Sequence, residues 1–169
     1  MTSNEQSPDP SEQSIWRPLR RLQEAMDADI GRVYDQAGID AVKPSQVMEL
    51  LRLAARGPMS IADLAVSVER THSATSQKVA AMRTAGLVRT KPGRDARTRM
   101  VVLTAKAQRI IPRLAAEWRA TEAAVAEIES EIPYPLSTVV ADIEVALTRQ
   151  AFRDRIARHL TLDPDWPSE

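Results

Sequence analysis

The 169-residue chain contains no cysteine, which excludes disulfides, thiolate metal sites and a cysteine-based redox sensor. It has only one phenylalanine and two tyrosines, so its core must be built from Ala, Leu, Ile and Val. No apolar run approaches the roughly 18 residues needed to span a bilayer, and no secretory pattern is present. The expectation is a cytoplasmic protein without a membrane partner. A glycine-rich phosphate loop is also missing, the two histidines (His72 and His159) lie far apart, and no His, Asp and Glu cluster has ligand spacing. The sequence therefore predicts no catalytic residues, no metal and no cofactor. Net charge is lacking too, because 23 basic residues balance 23 acidic ones.

That balance is not uniform along the chain. Residues 70–99 hold Arg70, Lys78, Arg83, Arg89, Lys91, Arg94, Arg97 and Arg99 against the single acid Asp95, a net charge of +7. A solvated face is the commoner fate of a basic run, but a positive patch sorted out of a neutral chain is also the footprint of a phosphate-backbone binder. The second reading gains weight because the charge coincides with a capped helix and a hairpin.

The helix is predicted over residues 71–85. Thr71 is a good N-cap, since its hydroxyl can take an unpaired first-turn N–H, and Gly86 supplies a left-handed stop. Val79 and Met82, continued by Thr75 and Ala85, form a narrow apolar face. The remaining surface carries His72, Ser73, Ser76, Gln77 and Lys78, whose hydroxyl and amide groups can donate and accept in a DNA groove. Residues 60–68 read as a shorter helix with Ser60 as cap, Asp63 at capping-box spacing and a stripe of Ile61, Leu64, Ala65 and Val68. Glu69 and Arg70 join the two into a helix-turn-helix. Residues 87–91 and 99–103 read as strands around a basic Pro-Gly loop, which makes a wing.

The run GPMSIADLAVSVERTHSATSQKVAAMRTAGLVRTKPGRDARTRMVVLTAKA resembles the winged helix-turn-helix of the multiple-antibiotic-resistance regulators, the MarR family of bacterial transcription factors. The wing carries the most specific match, with Asp95, Arg97, Leu103 and Thr104 in the family's D-x-R and L-T positions; Gly86, Leu87 and Val88 match its G-hydrophobic-V. Five positions, in three places, depart from the pattern. Ser76 and Gln77 stand where relatives often have Thr-Arg, Ala80 and Ala81 replace an Asp-Arg pair, and Ala107 replaces a Gly. Base preference therefore does not carry over.

The resemblance implies a mainly α fold with a small β-hairpin wing, in which a winged helix-turn-helix lobe is flanked by N- and C-terminal dimerisation helices. On this reading residues 1–14 are a polar, acidic, disordered tail; 15–42 an N-terminal dimerisation helix; 43–103 the DNA-binding lobe; 104–162 the long C-terminal dimerisation helices; and 163–169 a tail. In the N-terminal helix Ile15, Leu19, Leu22, Met26, Ile30 and Val33 recur at three and four. Pro44 fits the first position of the next helix, with Val47, Leu50, Leu51 and Ala54 as its stripe and Gly57-Pro58 closing it. After Thr104, apolar residues from Ile111 to Ile132 define a helix containing Pro112, and a single final helix is expected from about Ser137. A helix of 27 residues is about 40 Å long and wants a partner. Residues 117–144 carry seven acids and one base, which would keep that part of the chain off DNA or simply aid solubility.

These readings assign a role to each group. Thr71 and the helix N-terminus hold a phosphate, and His72, Ser73, Ser76 and Gln77 face the major groove of double-stranded DNA, with Gln77 the best placed to pair with adenine. Lys78, Arg83, Arg94 and Arg99 meet the backbone. Arg97 enters the minor groove, oriented by Asp95. One recognition helix covers too few base pairs to specify a site, whereas a homodimer presents two about 34 Å apart to a pseudo-palindrome. By resemblance, Trp16, Tyr34 and Trp118 line a pocket for a small aromatic or phenolic effector, although core or interface filling is the simpler role for such aromatics. The function expected is a transcriptional repressor. The alternative is a winged helix that packages DNA non-specifically or contacts protein.

Overall fold

Short-range capping chemistry punctuates most of this chain, and the computed structural model, which describes residues 9–93 and 98–166, follows it closely. The elements are α1 (Trp16–Gln36), α2 (Val47–Arg56), β1 (Met59–Ser60), α3 (Ile61–Ser67), α4 (His72–Thr84), β2 (Val88–Pro92), β3 (Arg99–Leu103), α5 (Ala105–Glu131), α6 (Leu136–Arg149) and α7 (Phe152–Leu160), with short 3-10 turns at Pro10–Gln13 and Pro44–Gln46. The architecture is mainly α with one small sheet, as the sequence predicted. The chain forms two compact units, Met1–Ala116 and Glu117–Glu169.

In the first unit, Ser60 Oγ accepts the Asp63 N–H at 3.1 Å and starts α3, while Thr71 Oγ1 accepts the Ala74 N–H at 3.2 Å and starts α4. Gly86, at φ 70°, ends α4. There the Leu87 N–H reaches the Met82 carbonyl at 2.9 Å and the Gly86 N–H reaches that of Arg83 at 3.0 Å, the Schellman pattern. The same pattern closes α3, since the Arg70 N–H donates to Ala65 and the Glu69 N–H to Val66. Here the left-handed residue is Glu69, at φ 53°, so the turn between the two helices is held in a conformation that a side chain disfavours.

The sheet is antiparallel in the order β1-β3-β2, with Val88 opposite Leu103 and Pro92 opposite Arg99 across the hairpin. Strand β1 was not anticipated. Its two residues, Met59 and Ser60, pair with Val101 and Met100, a contact that no local pattern announces. Thr104 then knots three elements together. Its Oγ1 donates to the Gly86 carbonyl at 2.8 Å, lies 3.2 Å from that of Leu87, and accepts the Ala107 N–H that opens α5.

Leu50, Leu64, Met82, Leu87, Val88, Val101 and Leu114 are fully buried and form the core beneath the helix-turn-helix. The inner face of α2 is turned from the expected stripe. Val47, Glu49, Leu50 and Leu53 are buried and Ala54 is exposed, because the helix seats on Leu53 rather than on Leu51 and Ala54. Thr75 is buried as predicted, yet its hydroxyl has no hydrogen-bond partner among the described residues. Thr75→Val keeps the shape and removes the stranded group, so it should raise stability by about 1 kcal/mol; an unchanged urea midpoint would mean that the hydroxyl is satisfied in solution.

The second unit departs from the expected single final helix. The chain breaks at Gln150, which adopts an extended conformation. Arg155 reaches back with Nε 3.2 Å from the Gln150 carbonyl and a terminal nitrogen 2.9 Å from that of Ala146, satisfying the groups the break exposes. The carboxylate of Glu129 caps the start of α6, accepting from Ser137 N at 2.7 Å and Oγ at 2.8 Å. The backbone bond and then the hydroxyl hold that carboxyl below its usual range. Helices α6 and α7 bury no residue, leaving Val140, Ile143, Leu147, Phe152 and Ile156 in solvent.

Candidate nucleic-acid interface

The buried stripe of α4 fixes which of its side chains can reach a ligand. With Thr75, Val79 and Met82 turned into the core, His72, Ser73 and Gln77 are exposed and Ser76 half-buried on the other side. Burying Val79 and Met82 contributes roughly 1.5–3 kcal/mol each, enough to hold that rotation against the mild preferences of the polar side. The Thr71 hydroxyl is committed to the Ala74 N–H. The two amides at the helix tip, those of His72 and Ser73, therefore point along the axis, where an anion is favoured.

The predicted cations fall into three groups. Arg83, Arg89, Lys91 and Arg99 are exposed at the end of α4 and along the hairpin. Arg94, Asp95 and Arg97, the wing-tip residues of the sequence reading, lie outside the described residues. The third group is turned inward. Lys78, only 18% exposed, places Nζ 3.0 Å from Glu49 Oε1 and also donates to the Ser45 carbonyl. Arg70, 46% exposed, places Nε 3.9 Å from the same carboxylate oxygen. Lys78 was expected among the backbone-contacting cations; here its charge is spent on a carboxylate that is wholly buried.

Glu49 was missed. It sits in the run VMELLRLAAR as an apparently solvated acid, and its partners are distant in sequence. The one available signal was position, because a residue four before Leu53 and three after Gln46 shares their buried face.

The three aromatics assigned to an effector pocket are found in different settings. Trp16 is 57% exposed, Tyr34 is 2% exposed, and Trp118 is half-buried in the second unit. A cleft of about 410 Å³ opens elsewhere in the first unit, between Leu53 and Ala54 of α2, Pro58, Arg89 and Lys91 of β2, and Ile111 of α5; none of the three lines it. Among the described residues, no group of three or more His, Cys, Asp or Glu side chains could hold a metal, and no helix is long and apolar enough to cross a membrane.

A family model described as HVO_A0114 matches residues 44–114, the span from the turn before α2 through the hairpin and into α5. No curated protein matches the sequence significantly. Solved structures do match, over 80% or more of the chain in those that follow. MepR of S. aureus, in a complex with DNA, is 15% identical over 80% of this chain and 97% of its own, with a TM-score of 0.60. A MarR protein from Peptoclostridium difficile is 14% identical over 88% and 95%, with a TM-score of 0.57. The fold is that of the MarR-type regulators. The MarR-type frame also takes in PcaV from Streptomyces coelicolor, solved with its natural ligand, at 16% identity over 86% of this chain and 99% of that one, with a TM-score of 0.58. In this frame α3 and α4 are the helix-turn-helix and β2–β3 the wing.

Proposed function

We propose that the chain is a sequence-specific regulator of transcription that binds double-stranded DNA as a homodimer, represses at a pseudo-palindromic operator, and is released by a small aromatic or phenolic effector. One observation carries the reading: α4 exposes His72, Ser73 and Gln77 between its capped tip and a row of exposed cations. Hydroxyls, amides and imidazole read base edges, whereas non-specific packaging needs only charge. MepR was solved with DNA and PcaV with a ligand, which lends both halves of the proposal support by analogy.

In the docked geometry the His72 and Ser73 amides hold a phosphate, Gln77 offers its amide to adenine, and Arg83, Arg94 and Arg99 sit along the backbone while Asp95 orients Arg97 toward the minor groove. The test is binding to the duplex beside the protein's own gene against random duplex of equal length, at several salt concentrations. Preference for the former supports a regulator; equal affinity points to packaging, and no binding points to protein contact. Gln77→Ala should flatten base preference while leaving random-sequence affinity nearly unchanged, and a uniform loss would move Gln77 to a phosphate.

The dimer rests on apolar surface that a lone chain leaves wet. Ile15, Leu22 and Val33 on and beside α1, and the row along α6 and α7, are exposed; faces of this kind mark association sites. Sedimentation should give twice the chain mass, with a melting temperature that rises with protein concentration. A monomer mass at all concentrations would remove the paired-operator geometry.

A further inference from the structure

A buried carboxylate is costly unless something is gained by keeping it. Glu49 lies on α2 with no exposure, Lys78 belongs to the second turn of α4, and Arg70 to the turn that feeds it. Two cations on either side of the Thr71 cap thus converge on a single oxygen. Replacing such a cluster with apolar side chains is commonly neutral or stabilising, so its use must be sought in what it positions. Its position is telling, since it grips the end of the recognition helix where backbone amides and base-reading side chains come together.

We propose that Glu49 is a positioning residue for DNA recognition: it withholds the Lys78 ammonium from the phosphate backbone and uses it to lock the rotational setting of α4 against α2. The inference rests on the DNA-binding reading above. A lysine left free on this helix would reach phosphate on any sequence, adding affinity without discrimination. Drawn inward, it adds none, and the exposed amide and hydroxyl groups keep a fixed aim. Arg70, 3.9 Å from the carboxylate and about half exposed, fastens the turn more loosely and keeps its access to solvent in either state.

Counterion release makes the idea measurable, because each phosphate neutralised adds about 0.9 to the slope of log K against log salt. The experiment uses the full chain and random-sequence duplex, so that no operator need be known. Lys78→Met should leave the wild-type slope unchanged. Glu49→Gln should steepen it by about 0.9 per recognition helix, as the freed ammonium takes a phosphate, and should lower the ratio of own-promoter to random-duplex affinity. The Glu49→Gln/Lys78→Met double variant, which leaves no unpaired buried charge, should return the slope to that of wild type and serves where Lys78→Met folds poorly. A slope shallower by about 0.9 in Lys78→Met, or an unaltered slope in Glu49→Gln, overturns the proposal while the DNA-binding reading stands. A wild-type protein that binds no duplex at any salt overturns both.

Discussion

Lys78→Met is expected to cost about 3 kcal/mol of folding stability, the low end of what breaking a buried ion pair costs. Methionine fills most of the space of the lysine stem, so the loss is electrostatic rather than one of packing. Glu49, with no solvent to turn to, keeps only Arg70 at 3.9 Å among the described residues. The control is Arg83→Met on the same helix, whose exposed side chain should matter by no more than about 0.5 kcal/mol. Urea melts of the two variants decide the matter; equal costs would show that the Lys78–Glu49 contact contributes nothing.

Met82→Ala should be as damaging for a different reason. Met82 is fully buried at the seam between α4 and the core, and removing its side chain forfeits burial and leaves a void, together about 3 kcal/mol. The urea midpoint should fall with little change in slope, since the surface exposed on unfolding hardly alters. DNA affinity should survive wherever the variant is folded. That contrast separates the two faces of one helix, because Gln77→Ala moves base preference at constant stability. A cost under about 1 kcal/mol at Met82 would mean that the neighbours close over the gap.

Where the chain's geometry is dictated by chemistry within four residues, it could be read directly. Ser60, Thr71 and Gly86 set the ends of α3 and α4 where the sequence placed them, and the segments flanking the Pro-Gly turn gave both hairpin strands to within a residue. What escaped is non-local. Strand β1 exists because β3 offers it an edge, and two residues are too few for any period to show. The break between α6 and α7 contains neither glycine nor proline; it persists because Arg155 supplies donors from five and nine residues on. The charge of residues 70–99 was counted correctly but credited wholly to a phosphate-binding surface, since the acid that neutralises part of it, Glu49, lies on another helix, before the counted segment. The exposed face of α4 was inferred from its buried one, whereas the roles of Arg94, Asp95 and Arg97 rest on the sequence alone.

The Thr104 hydroxyl bears on how a signal could travel. It ties the last carbonyl of the recognition-helix stop to the first turn of α5, and Lys106 adds a second tether to the Ala85 carbonyl at 3.2 Å. The base of α5 is thus coupled to the trailing end of α4 by two short polar struts as well as through its own buried Ala107 and Leu114. Glu49 clamps the leading end of the same helix. Held at the leading end through Glu49 and at the trailing end through Thr104 and Lys106, α4 has its setting fixed from both sides.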